Sequence, residues 1–178
     1  KTTNQLSIFQ LTTTSSATGS PAGSPSRRIG WHEIMLRHAG VEDLSALYKM
    51  LHVMHEESEH TVSSINSEKG TAAMVSAIHR GVVLIAEVDG EIAGSIGGMK
   101  SEDWWSTEKY LADLWFFVYK EHRKSTIAVR LIKRFMEIGK NANLKVKLGH
   151  VHGGDTERKD NFYTRLGLVK AGSMYLET

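Results

Sequence analysis

Apolar and polar positions change period several times along this chain, and each change predicts an element. Glu33 to Ala39 reads as a first strand closed by Gly40. From Val41-Glu42-Asp43 the period turns helical, with Leu44, Leu47, Tyr48, Leu51 and Met54 on one face. The acidic run His55 to His60 (HEESEH) ends that helix, and a second is expected over Glu68 to Arg80, with Ala72, Val75, Ile78 and His79 at helical spacing and Gly81 as its stop. Val82 to Val88 and Glu91 to Met99 flank Asp89-Gly90, a two-residue hairpin signal. Ser101 to Lys109 is a polar-aromatic loop in which Trp104 and Trp105 suit a lid, a subunit contact or a half-buried anchor.

The most informative change of period falls between Leu114 and Phe135. Leu114 to Val118 is a short apolar run fit for a buried strand, Tyr119 to Ser125 is polar and mostly cationic, and Ile127, Leu131, Ile132, Phe135 and Ile138 then form a helical stripe capped by Ser125 or Thr126. Leu144 to Val151 alternates as a strand and is broken by His152-Gly153-Gly154. Asp155 or Thr156 caps a last helix running through Leu166 to Gly167, and Leu168 to Leu176 supplies a final strand pair.

Residues 1–30 differ in kind. No charged residue stands between Thr2 and Ser26, and Thr12 to Ser26 is almost wholly Ser, Thr, Gly, Pro and Ala. Such a segment buries too little apolar surface to offset its ordering entropy, so it is expected to be a flexible arm ahead of a domain at 31–178. Leu6 to Leu11 is a small apolar patch that suits a peptide docking on a partner, a processing remnant, or no role. The chain begins at Lys1, as expected of a processed or truncated protein, and no basic stretch followed by an apolar core marks a secretory leader. The lack of cysteine fits the expectation of a cytoplasmic protein.

Lys and Arg total 22 against 20 for Asp and Glu, too even a balance to favour a nucleic-acid role. No apolar run is long enough to span a bilayer. The absence of cysteine removes disulfides, thiolate metal sites and any S-acyl-enzyme intermediate.

A strand, a basic loop and a helix N-terminus together make an anion site: amides converge, the helix dipole favours negative charge, and Arg123 and Lys124 stand beside them. A ligand carrying phosphates, in particular a pyrophosphate, is the expectation; an ordinary connection with solvated cations is the alternative.

These residues resemble the GNAT (N-acetyltransferase) superfamily. Val118-Tyr119-Lys120-Glu121-His122-Arg123 is similar to its "V-x-P-E-x-R" phrase, with Lys120 in place of proline. Arg123 matches the first position of the acetyl-CoA loop and Ala128 its last, while Thr126 stands where glycine is usual. Asn161 to Leu168 resembles the phrase "F-Y-x-x-L-G-F", and the hairpin AEVDGEIAGSIGG the family's middle hairpin. The asparagine often found near the start of the last helix is absent, Asp155 and Thr156 standing in its place. Covering 33–177, the resemblance implies an α/β (α+β) fold: a mixed, mostly antiparallel central sheet flanked by about four helices in the order β-α-α-β-β-β-α-β-α-β.

It further implies direct transfer of acetyl from acetyl-CoA, as co-substrate, to a primary amine on a small molecule or a protein, through a ternary complex. Arg123, Lys124, Ser125, Thr126, Ile127 and Ala128 would hold the diphosphate, with Arg130 as a further cation, and the backbone of Phe116, Phe117 and Val118 would pair with the pantetheine arm. Tyr163 is the implied general acid for the departing thiolate. Asp113, at the start of the central strand, is the first candidate base, with Glu57 and His150 as alternatives. HEESEH lies where the family forms part of its acceptor pocket and would suit a cationic amine; a solvated turn is the plainer reading. His150-x-His152 and His52-x-x-His55 lack a carboxylate at ligand spacing, so no metal is expected. A homodimer and docking through the arm are further expectations. The rival is a catalytically degenerate GNAT-fold binding or structural component, tethered by its arm in a larger assembly and virion-associated if the chain comes from a phage.

Overall fold

The computed structural model describes residues 33–58, 63–149 and 154–173; the arm and its Leu6 to Leu11 patch lie outside them. Nine helices and strands follow in the order β1 (Ile34–His38), α1 (Leu44–Glu56), α2 (Ser67–Arg80), β2 (Val82–Val88), β3 (Glu91–Glu102), β4 (Lys109–Val118), α3 (Ile127–Asn141), β5 (Lys145–Lys147) and α4 (Thr156–Arg165). The strands form one sheet in the order β1-β2-β3-β4-β5, antiparallel throughout except for the parallel β4–β5 pair. That parallel step needs a crossover, which α3 supplies. The mixed α/β expectation holds.

Asp89 and Gly90, at φ 52° and 84°, make the tight turn of the β2–β3 hairpin, the conformation that Asp-Gly tolerates and most pairs do not. Two apolar cores cover the two faces of the sheet. Ile127, Leu131, Ile132 and Phe135 of α3 pack with Leu84, Ile96 and Leu111, and Phe162, Tyr163 and Leu166 of α4 join them. On the other face Leu47 of α1 and Met74 and Ala77 of α2 pack on Val83 and Ile85. Gly97 and Gly98 let both cores close onto β3: a Cβ on Gly97 would stand 2.2 Å from the Trp115 ring, and one on Gly98 2.4 Å from Phe135 Cζ.

Several boundaries differ from the sequence reading. The central strand starts at Lys109, not Leu114, because its first half pairs with Met99 to Glu102 despite a mixed composition. Asp113 is therefore mid-strand. The buried positions of α2 are Met74 and Ala77, whereas Ala72 and His79 are exposed. Trp104 and Trp105 are 91% and 67% exposed, stacked edge-on at 5.2 Å, and so are not a half-buried anchor. Residues 168–173 carry no strand, with Val169 90% exposed, and the rest of the expected final pair lies outside the described residues. The fifth strand is only Lys145–Lys147.

One structural unit had no periodic signal. Arg37 on β1 donates to Asp43 Oδ2 and Oδ1 at 2.7 and 2.8 Å and to Glu87 Oε1 on β2 at 2.8 Å, while the Gly40 amide donates to Asp43 Oδ2 at 2.9 Å. The guanidinium holds the Asp43 carboxyl below its usual range. This pins the start of α1 to the sheet.

Candidate active site

The β4–β5 pair is short. Tyr110, Leu111 and Ala112 pair with Lys145, Val146 and Lys147, after which no further ladder bond joins the two among the described residues. β4 runs on to Val118, and among the described residues no strand pairs with the outer edge of Leu114 to Val118 beyond the fork. At the fork the Gly149 amide donates to Asp113 Oδ1 at 2.9 Å. The register on β3 steps from Gly97↔Trp115 to Gly98↔Asp113, which makes Leu114 the extra residue of a bulge.

Tyr163 of α4 belongs to the same place. Its phenol is pushed up to about 12, first by burial and then by the charge of Asp113. Burial raises the Asp113 carboxyl as well, against the opposing pull of the Gly149 amide. The two residues read from sequence as base and acid thus share one electrostatic environment. A carboxylate that resists ionisation and a phenol that keeps its proton can take and give a proton across a reacting group. His150, the alternative base, and His152 lie outside the described residues.

Beyond Val118 the chain makes a single tight turn (Lys120–His122) and enters α3 through Arg123 to Thr126. The Ser125 hydroxyl donates to the His122 carbonyl at 2.6 Å and accepts from the Ile127 amide at 3.2 Å, while Thr126 holds the N-cap position without a side-chain bond. Arg130 N–H bonds back to Thr126 O at 2.9 Å, while the amides of Lys124, Thr126, Ala128 and Val129 meet no acceptor among the described residues. Orphan amides at a helix N-terminus suit a diphosphate. Thr126 sits at φ −85°, open to any residue, so the loop does not demand the glycine it lacks. The loop therefore fits acetyl-CoA in its amides.

Arg123 stands differently from expectation. Its Nε donates to Val118 O at 2.8 Å, its terminal nitrogen is tied to Glu57, and the guanidinium lies 5.2 Å from the Phe117 ring centroid. Lys120 also reaches Glu57, at 3.7 Å. Glu57, the other alternative base, is thus paired with two cations rather than facing the fork. Lys124 and Arg130 are exposed and pair with no carboxylate among the described residues.

On the opposite face, between α1, α2 and β4, lies a cavity of about 220 Å³ that the sequence did not announce. Met50 and Met54, Met74, and Leu114, Trp115 and Phe117 line it with shorter apolar residues, and no charged side chain among the described residues enters. Trp115 Nε1 is already bonded to Ser95 Oγ at 3.1 Å. Its signal was available: Met50 and Met74 share helical faces with Leu47 and Ala77, but periodicity cannot distinguish a cavity wall from solid core. Residues 55–58, the described part of the acidic run expected at an acceptor pocket, are not in this lining, and residues 59–62 lie outside the described residues. No group of three or more potential metal ligands occurs among the described residues, and no described helix is long and apolar enough to cross a membrane.

The structure thus joins a mostly antiparallel sheet, forked at a parallel pair, to a helix N-terminus beside the fork, an α/β class of fold. The acetyltransferase (GNAT) family model matches residues 44–168, and the chain belongs to that family. A search of curated proteins gives no match. Among solved structures, AAC(6')-Iy in complex with the bisubstrate analogue CoA-S-monomethyl-acetylneamine aligns with a TM-score of 0.66 at 12% identity, over 82% of this chain and 97% of that one. A Trypanosoma brucei acetyltransferase aligns at 0.60 and 21% identity, over 82% and 100%. Glucosamine-6-phosphate N-acetyltransferase from Arabidopsis thaliana aligns at 0.62 and 15%, over 82% and 98%. At these identities the likeness is one of fold.

Proposed function

We propose that this protein transfers the acetyl group of acetyl-CoA to a primary amine by direct attack within a ternary complex. The observation that carries the reading is the fork itself: β4 and β5 part at Asp113, and the edge beyond, unpaired among the described residues, leads to the orphan amides of the 124–129 turn. Acetyl-CoA supplies an acyl carbon and a thiolate leaving group, so a nitrogen–carbon bond forms as the carbon–sulfur bond breaks.

The chain's own residues do the rest. The amides of Lys124, Thr126, Ala128 and Val129 receive the diphosphate, aided by the α3 dipole and the exposed Lys124. Arg123 joins them only by leaving Glu57. The edge of Leu114 to Val118 pairs with amides of the pantetheine arm as a sixth strand would. Asp113 takes the amine proton, directly or through one water, and Tyr163 gives its proton to the thiolate. The fold neighbour bound to a CoA-based bisubstrate analogue supports two substrates meeting on one such scaffold. The cysteine-free chain suits a cytoplasmic setting.

Tyr163→Phe tests the assignment. Loss of a general acid costs roughly 10²-fold or more in rate, so kcat is expected to fall by that order while acetyl-CoA affinity stays within a factor of about two. An unchanged kcat removes Tyr163 from the chemistry. The second reading, a degenerate binding component, is favoured by one observation, the engagement of Arg123 by Glu57 and Val118.

A further inference from the structure

We infer that the amine acceptor is apolar: a primary amine joined by a short chain to a hydrocarbon or aromatic body, seated in the cavity between α1, α2 and β4. The inference rests on the transferase reading above and names the substrate of that same site.

Position comes first. Leu114, Trp115 and Phe117 belong to the cavity wall, and Leu114 directly follows Asp113, the carboxylate at the fork. The inferred acceptor keeps its body between the helices and passes one end round the Leu114 bulge toward Asp113.

Chemistry comes next. None of the ten lining residues is charged, and the one polar side-chain group among them, the Trp115 indole N–H, is already given to Ser95. An ammonium or hydroxyl inside would lose its water and gain no partner, which is unfavourable for a neutral group and far more so for a charge. Polyamines and aminosugars, which carry such groups along their whole length, are disfavoured there. The body of the ligand must be apolar, and only its amine end reaches the polar fork.

Size agrees. An apolar protein cavity of roughly 150 Å³ admits benzene, so about 220 Å³ leaves room for a ring and a short alkyl chain. Three methionines in the wall supply unbranched, polarizable surface that adapts to such a body. The fold neighbours named for acetylneamine and glucosamine 6-phosphate carry polar acceptors; this lining offers those hydroxyls nothing.

Gly70 and Ala73 form the α2 side of the wall, and Ala73 is exposed, so a large side chain there can close the cavity without disturbing the buried face of α2. The experiment uses the full chain with 4-phenylbutylamine, n-octylamine, spermidine and glucosamine 6-phosphate. Binding is read by calorimetry with CoA present and absent, and acetylation by thiol release at saturating acetyl-CoA. The expected result is kcat/KM at least 50-fold higher for the two apolar amines than for the polar pair. Ala73→Trp should weaken 4-phenylbutylamine binding more than tenfold at unchanged melting temperature and unchanged acetyl-CoA affinity. Quenching of tryptophan fluorescence by the apolar amine, through Trp115, gives a readout that needs no turnover. Acetylation of spermidine or the aminosugar in preference to the apolar amines overturns the inference and leaves the transferase reading standing. Binding of 4-phenylbutylamine that Ala73→Trp leaves unchanged also overturns it. Apolar amine binding without any acetyl-CoA binding sinks the transferase reading and keeps the cavity as the ligand site.

Discussion

Asp113 carries two consequences of one fact, its burial. Its folded pKa is raised, so the stability it lends is fully present below the ordinary 3.8 and is lost as pH rises through the raised value. At neutral pH the ionised carboxylate is therefore a cost. Asp113→Asn keeps an oxygen for the Gly149 amide and removes that charge, so the variant is expected to melt at the same or a higher temperature at pH 7, with any gain vanishing below pH 3.8. Its acetylation rate should fall, and the acidic limb of the pH–rate profile should disappear. Tyr163 stays protonated until about pH 12, so the wild-type rate should hold level through pH 10 rather than fall with an ordinary phenol. Calorimetric melting and a pH–rate series check both. Gly98 makes a purely structural point at the same scale. A Cβ there meets the Ala112 carbonyl at 2.4 Å as well as Phe135, and backbone cannot step aside as a flexible side chain can. Gly98→Ala should lose about 1–3 kcal/mol in urea unfolding. Tyr163 and Asp113 were legible as single residues, one through the FYxxLG phrase and one through its place on an apolar strand. Arg123's tie to Glu57 was not, because nothing local relates positions 66 residues apart.

Elements with a clean period were read nearly to the residue: the stripe of α3, the Asp-Gly hairpin, the Asp155 cap of α4 with its bond from the Arg158 amide at 2.9 Å. Elements held by partners rather than by their own pattern were not. The first half of β4 is strand because β3 pairs with it, and the face of α2 is set by where the sheet lies. The docking of β1 and α1 is the sharpest case, since Arg37 unites Asp43, six residues on, with Glu87, fifty residues on. Asp43 has a lowered folded pKa, so its contribution is present above 3.8 and is lost as pH falls through the lowered value. Asp43→Asn leaves the guanidinium paired with Glu87 alone, and losing charge-assisted hydrogen bonds from a part-buried pair costs roughly 1–3 kcal/mol. Urea unfolding at pH 7 should show that loss, with the gap to wild type narrowing as the pH is taken below 3.8.

Seen whole, the sheet divides the work. One face, under α3 and α4, holds one of the two cores, Tyr163 and the turn with orphan amides. The other, under α1 and α2, holds the apolar cavity, and the forked edge of β4 joins the two. The order of elements and the basic turn after Val118 could be read from sequence because local chemistry writes them. The cavity could not, because an empty space between three elements leaves no mark on any one of them. The proposed function depends on the turn after Val118 taking a diphosphate despite Thr126 and the Glu57–Arg123 tie. Isothermal calorimetry of acetyl-CoA into the full chain tests this most directly: micromolar, one-to-one binding is the predicted result, and no heat at millimolar acetyl-CoA would contradict the account.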